Sequence, residues 1–195
     1  MPSHNDQPVP VSELEELMPV AIGKGVNMRL YIDHSKPEDS PEHNWTDTTY
    51  DGKDDSEILA IPNHWHRDHD EIMEVLEGTM IFYLDGKKII ASAGDAPLLI
   101  PRGHVHGFTV IKGQPARFTE RTKPAGTFKA LFFQDMFQNG APGFLMAMRV
   151  FYDGDTFVSL PGGFKVVDYA FLTVVGFIAK AFVPARPLVV KSKGL

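Results

Sequence analysis

At 195 residues, with 43% hydrophobic and 23% charged side chains, the chain has the size and composition of one folded domain and not of a disordered segment. It contains no cysteine, which excludes disulfides, thiolate metal sites and cysteine nucleophiles and leaves His, Asp and Glu to hold any metal. A net charge of -6 supplies no general attraction to phosphate backbones or anionic lipid, so neither nucleic acid nor a membrane surface is expected as a partner.

In chain order, the N-terminal stretch MPSHNDQPVPVSELEEL has no basic region followed by an apolar run, so no secretory signal is visible and a cytoplasmic location is expected. Ser12 followed by Glu13, Glu15 and Glu16 reads as a helix cap and an acidic first turn, predicting a short helix after a loose tail. From His34 to Glu57 the chain is rich in Asp, Ser, Thr and Pro and reads as a long surface loop that could act as a lid. Trp45 and Tyr50 are its large anchors, covering a pocket mouth or pinning the loop. Residues 1–57 therefore read as a tail, a helix and a loop packed on the region that begins at Ile58.

From Ile58 to Lys123 short alternating runs are separated by turn signals: IMEVLEG, TMIFYLDG, KKIIASAGD, PLLIPRG, HVHGFTVIKG and ARFTERTKP. That spacing predicts antiparallel strands in a sandwich or barrel, with Asp85-Gly86 as a two-residue hairpin turn and Lys112-Gly113 turning the next pair. Over residues 124–195 the period changes: GTFKALFFQDMF, GFLMAMRVFY and VVDYAFLTVVGFIAKAFV space apolar residues three and four apart, as helices do. The last of these carries Lys180 and falls short of about 18 uninterrupted apolar residues, so it reads as a core or interface helix and not a membrane span. All three regions are expected to form one structural domain.

The candidate chemistry lies in His64-Trp65-His66-Arg67-Asp68-His69-Asp70-Glu71. Histidines two residues apart on a strand share a face, and Glu71 can return a carboxylate to that face from the neighbouring strand after a tight turn. A fourth ligand is offered by Pro101-Arg102-Gly103-His104-Val105-His106, where His106 opens an apolar strand. Imidazoles plus a carboxylate suit iron(II), manganese, nickel, cobalt or zinc, and suit copper(I) or calcium poorly. His69 and His104 lie in turns and read as exposed residues or supports behind the ligands.

These residues resemble the cupin superfamily. Its first motif, Gly-x5-His-x-His-x(3,4)-Glu-x6-Gly, is matched by His64, His66, Glu71 and Gly78; Gly94, Pro101, Gly103 and His106 occupy places of the second. The chain departs from the pattern at Ile58, which stands at the first glycine, at Gly94, one residue too far from Pro101, and at Val110, in place of an asparagine. Asp70 fits the shorter family spacing but then breaks the count to Gly78, which leaves Glu71 as the ligand. The resemblance implies a mainly β protein with a single jelly-roll barrel over 58–123, to which the N-terminal and C-terminal helices read above are additional and lie outside the resemblance, and one divalent transition metal per chain with iron(II) as first choice; cupin pairing, together with the apolar segments Gly143 to Val150 and Tyr169 to Val183, leads to an expected homodimer. The early loop and C-terminal helices also resemble stand-alone cupins of microbial secondary metabolism.

Strand alternation then sends Met73 and Val75 inward after Glu71, and Phe108 inward after His106, giving an apolar substrate pocket. Tyr83, Glu120, Arg121 and Arg149 are the polar candidates to reach it, the first three as catalytic acid or base, with a solvated surface role as the alternative for Glu120, Arg121 and Arg149. The expected function is metal-dependent oxygenation of a small, largely apolar or aromatic molecule, or Lewis-acid isomerisation, cyclisation or decarboxylation with the same ligands. The alternative is a non-catalytic barrel that carries or senses a small molecule.

Overall fold

The structure is a computed structural model that describes residues 13–17, 19–137 and 140–187. Two antiparallel sheets face each other as a jelly-roll barrel. One contains β1 (Leu14–Glu16), β2 (Val20–Gly23), β3 (Val26–Asp33), β4 (Asn44–Tyr50), β6 (Asp70–Glu77), β9 (Leu98–Ile100) and β11 (Ala116–Lys123), in the order β1-β3-β4-β11-β6-β9, with β2 also on β3. The other runs β12-β5-β10-β7-β8, built from β5 (Ala60–Trp65), β7 (Thr79–Leu84), β8 (Lys87–Ser92), β10 (His106–Val110) and β12 (Phe157–Val158). Alternate residues of these strands meet inside: Met73 and Val75 of β6, Met80 and Phe82 of β7, Phe108 and Val110 of β10 and Phe118 of β11 form one buried cluster. The β7–β8 hairpin turns on Asp85 and Gly86, both at positive φ (49° and 78°), the backbone that a two-residue turn of this hand demands.

The N-terminal third differs from its sequence reading. Residues 14–16 form a strand and not a helix, and they pair with Tyr31–Asp33 of β3. The acidic side chains that resemble a first helical turn are used across the ladder: Glu16 takes a bidentate contact from Arg29 and Glu15 meets His34. With Leu17 buried beneath, non-local pairing overrides a weak local preference; Ser12, the expected cap, lies outside the described residues. The expected loop over 34–57 contains β4, whose Thr46 and Thr48 are fully buried and whose Tyr50 joins the barrel core. Threonine is a strong strand former, but its hydroxyl hides the inward alternation from a hydropathy reading. Trp45 sits on the opposite face of β4, stacked on Tyr31 at 5.3 Å, so it pins the sheet and lines no part of the cavity inside the barrel. The barrel therefore begins well before residue 58, since β3 and β4 are integral to it.

Three helices come after the strands: α1 (Phe128–Phe137), α2 (Phe144–Asp153) and α3 (Lys165–Lys180). Helix α1 packs Ala130 and Phe133 onto Leu17, Val20, Met28 and Leu30 of the N-terminal strands. Helices α2 and α3 bring Met148, Leu172 and Ala179 against Trp65 and Phe157. Gly176 permits the α2–α3 crossing, because a Cβ there would lie 2.4 Å from the Cβ of Tyr152. No helix among the described residues is long and apolar enough to cross a membrane. The far side of α3 nonetheless leaves Val166, Val174, Phe177 and, just beyond it, Phe182 exposed.

Candidate metal centre and cavity

β5, β6 and β10 meet at one end of the barrel, and the β5–β10 register places His106 opposite His64. His66, one residue beyond β5, and Glu71, the second residue of β6, complete the group. His64, His66, Glu71 and His106 are all buried, and one potential ligand atom from each lies within 4.8 Å of the others. Glu71 is central: its Oε1 lies 3.0 Å from His66 Nε2 and its Oε2 accepts from His106 Nε2 at 3.0 Å.

Each imidazole is oriented from behind. His64 Nδ1 donates to the Pro62 carbonyl at 2.9 Å, His66 Nδ1 to the Asp155 carbonyl at 2.8 Å, and His106 Nδ1 to the His104 carbonyl at 3.0 Å. A carbonyl oxygen only accepts, so each ring carries a proton on Nδ1 and turns its Nε2 inward, the nitrogen left to bind a metal when it gives up any proton shared with Glu71. His66 Nε2 is buried without any hydrogen bond, although Glu71 is near. Burial and the neighbouring His106 and His66 hold the His64 imidazole well below its usual pKa, which keeps that ring neutral. Burial alone raises the pKa of the Glu71 carboxyl, but Lys129 and His66 with His106 outweigh it and hold the group ionised. Three imidazoles and one carboxylate, aimed at a common point with the buried His66 Nε2 lacking a hydrogen bond, fit a divalent transition metal.

Above this group lies a cavity of about 200 Å³, lined by Phe108 and Phe118 of the barrel and by Phe132, Phe133, Phe137 and Phe151 of the helices. Helices α1 and α2 thus supply the outer wall that the sequence reading sought in the 34–57 loop. Besides Glu71, two charged side chains among the described residues reach the cavity. Lys129 of α1 places Nζ 2.5 Å from Glu71 Oε1 and 2.5 Å from Glu120 Oε1, and all three groups are buried. Burial pushes the Glu120 carboxyl up to about 7 against the pull of Lys129. Burial works to lower the Lys129 pKa, but Glu120 and Glu71 outweigh it and the amine stays charged.

Of the acid–base candidates read from sequence, only Glu120 is in the cavity. On β11, Phe118, Glu120 and Thr122 point inward, so Arg121 points out and pairs with Glu74 at 3.0 Å. Tyr83 faces outward for the same reason, between the inward Phe82 and Leu84. Arg149 is buried, but it is held by Asp135 and Asp153 and lies off the cavity wall. Phe108 lines the cavity as expected, whereas Met73 and Val75 pack into the barrel core. His104 is half exposed and tied to Asp85 at 2.6 Å; His69 is buried, stacked 4.2 Å from His66, with burial pushing its pKa down to about 4. The sequence reading missed Lys129, although the signal was there: at i, i+3, i+4 and i+7, Lys129, Phe132, Phe133 and Met136 share one helix face and all line the cavity.

Residues 58–120, the span that carries all four converging side chains, match the cupin domain family. The chain carries a cupin domain. Among solved structures, the chain is similar to the polyketide cyclase RemF from Streptomyces resistomycificus, with 27% identity, 52% of this chain and 66% of that chain covered, and a TM-score of 0.39. KdgF from Halomonas sp. shows 20% identity over 51% of this chain and 79% of its own, with a TM-score of 0.41. An RmlC-like cupin from Shewanella frigidimarina shows 18% identity over 63% and 89%, also with a TM-score of 0.41. No curated protein sequence matches the chain.

Proposed function

We propose that this cupin is a metal-dependent enzyme acting on a small, largely apolar or aromatic molecule, with His64, His66, Glu71 and His106 as ligands of one divalent transition metal. The observation that carries this reading is the convergence of three imidazoles and a carboxylate, three of these four side chains (His64, His66 and Glu71) lining a phenylalanine-walled cavity. Iron(II) is the first choice of metal, and such an ion, when bound, would supply open coordination positions for dioxygen or a substrate oxygen. The chain's own residues then do the rest. The aromatic walls bury the apolar body of the substrate and exclude water, and the few polar groups select its orientation. Glu120, raised toward neutrality and bonded to Lys129, is placed to hold or move a proton at the cavity floor, while Lys129 offers a fixed positive charge to an oxygen that becomes anionic.

Elemental analysis of protein purified without added metal or chelator tests this, followed by anaerobic iron(II) reconstitution and an oxygen-uptake screen with small hydroxylated aromatics. Iron with oxygen consumption supports oxygenation. Zinc or manganese with no oxygen consumption supports Lewis-acid isomerisation, cyclisation or decarboxylation. Failure to take up any metal on reconstitution overturns the enzyme reading in favour of a small-molecule-binding barrel.

The exposed Val166, Val174, Phe177 and Phe182 support a second proposal, that two copies associate as a homodimer through the outer face of α3. Sedimentation velocity is expected to show a dimer that Val174→Glu with Phe177→Glu converts to monomer. A wild-type protein that stays monomeric at high concentration contradicts it.

A further inference from the structure

Asp155 lies outside the barrel strands, in the turn between α2 and β12, yet four consecutive residues at the metal centre bond to it. Its carbonyl accepts from His66 Nδ1 at 2.8 Å, Oδ1 accepts from the Arg67 amide at 3.2 Å, and Oδ2 accepts from the Asp68 amide at 2.7 Å and His69 Nδ1 at 3.1 Å. Those residues form the turn that joins β5 to β6, with His66 at its start and Glu71 just past its end. Asp155 adopts a positive φ of 54°, a backbone that costs an ordinary side chain about 1 kcal/mol or more, and the adjacent β12 pairs with β5 at His64 and Trp65. One residue thus fixes the tautomer and aim of one candidate ligand and the path of the chain to another, from 86–89 positions away in sequence.

We propose that Asp155 is the positioning residue of the metal centre, and that the helical C-terminal extension is a working part of that centre and not an appendage. The inference rests on the proposed metal reading of the four converging side chains. The imidazole of His66 is held by a backbone carbonyl, so its orientation depends on where the Asp155 peptide sits, and that peptide is anchored by its own carboxylate to the turn it supports. Both carboxylate oxygens accept from N–H donors of the turn, which makes Asp155 a clamp; His66, His69 and Asp155 also lie close enough together to form a second ligand group, and the number of metal ions bound per chain distinguishes the two roles.

Asp155→Asn keeps the left-handed backbone accessible but sets an amide NH₂ against N–H donors; Asp155→Gly keeps the backbone and removes the clamp. Cobalt(II) is the probe, with affinity measured by chelator competition, coordination by visible absorption, and metal-free stability by thermal melting. Wild type is expected to bind one cobalt per chain. Both variants are expected to bind it about 10- to 100-fold more weakly, with an altered absorption envelope, as when a hydrogen-bond partner behind a metal ligand is lost. Variants that melt lower but bind cobalt within twofold of wild type, with an unchanged spectrum, would reduce Asp155 to a structural residue and overturn the proposal. Two cobalt ions per wild-type chain, one of them lost in Asp155→Asn, would overturn it by making Asp155 a ligand. A wild-type protein that binds no cobalt overturns the metal reading, and this inference with it.

Discussion

Glu71→Ala is expected to lower affinity for a divalent transition metal by about 100-fold or more, a larger loss than displacing a group behind a ligand, and to destabilise the metal-free protein as well. Both effects come from one geometry. The two carboxylate oxygens of Glu71 face His66 and His106, and Oε1 also meets Lys129, so this side chain is at once the single charged ligand and a counter-ion for a buried amine. Removing one partner of a buried ion pair costs about 3–5 kcal/mol when nothing replaces it. Here Glu120 remains beside Lys129, which places the cost toward the lower end. For a chain of this size about 3 kcal/mol corresponds to a fall in Tm of about 6–12 °C. Glu71→Gln separates the two effects: it keeps the volume and an acceptor for Lys129 but removes the charge, so metal affinity falls while the metal-free protein keeps more of its stability than the alanine variant. Chelator competition and metal-free melting of both variants check this. An alanine variant that binds metal as tightly as wild type would remove Glu71 from the ligand set.

Arg149→Ala is expected to cost about 3–5 kcal/mol, lowering Tm by about 6–20 °C, without changing metal affinity. Arg149 is 2% exposed and links α2 to Asp135 of α1, with Asp153 as a second partner. Its removal takes the Arg149 charge from the Asp135 carboxylate, itself buried, at the seam between the two helices that wall the cavity and leaves it the Arg186 amide at 3.4 Å. Asp153 retains Lys180 and tolerates the change. A double variant, Arg149→Met with Asp135→Leu, is expected to recover most of the loss, because an apolar pair of similar volume avoids the cost of burying the charges at all. Thermal melting of the single and double variants decides the matter. An Arg149→Ala protein with wild-type Tm but impaired turnover would return Arg149 to the cavity, as its sequence position alone allows.

The strands from β5 to β11 were legible because each carries its own signals. Alternation marks the inward face of β6 and β7, and Asp85-Gly86 announces the hairpin that joins β7 to β8. The C-terminal helices were legible by period. The N-terminal strands were not: the LEE of β1 is locally a better helix than strand, and β4 buries threonines that no hydropathy scale marks as core. Both become strands because β3 offers each an edge, and an edge more than ten residues away leaves no trace in a local window.

The same division holds at the site. Residue type and spacing alone picked out His64, His66, Glu71 and His106, since two histidines on one strand, a carboxylate after a tight turn and a histidine opening a facing strand have little choice but to converge in a closed barrel. Spacing could not say which polar residues join them. Glu120 and Arg121 are neighbours in sequence, and the phase of β11 in the sheet sends one into the cavity and the other to solvent. Lys129 arrives because α1 folds back over the open end of the barrel, and Asp155 because the turn after α2 docks against β5. The sequence by itself determined the candidate ligands and most of the barrel, because those depend on periods of a few residues. Only the tertiary structure decided the cavity walls, its buried Lys129–Glu120 pair and the Asp155 clamp, because each of these is a contact between elements whose meeting depends on packing across the whole domain.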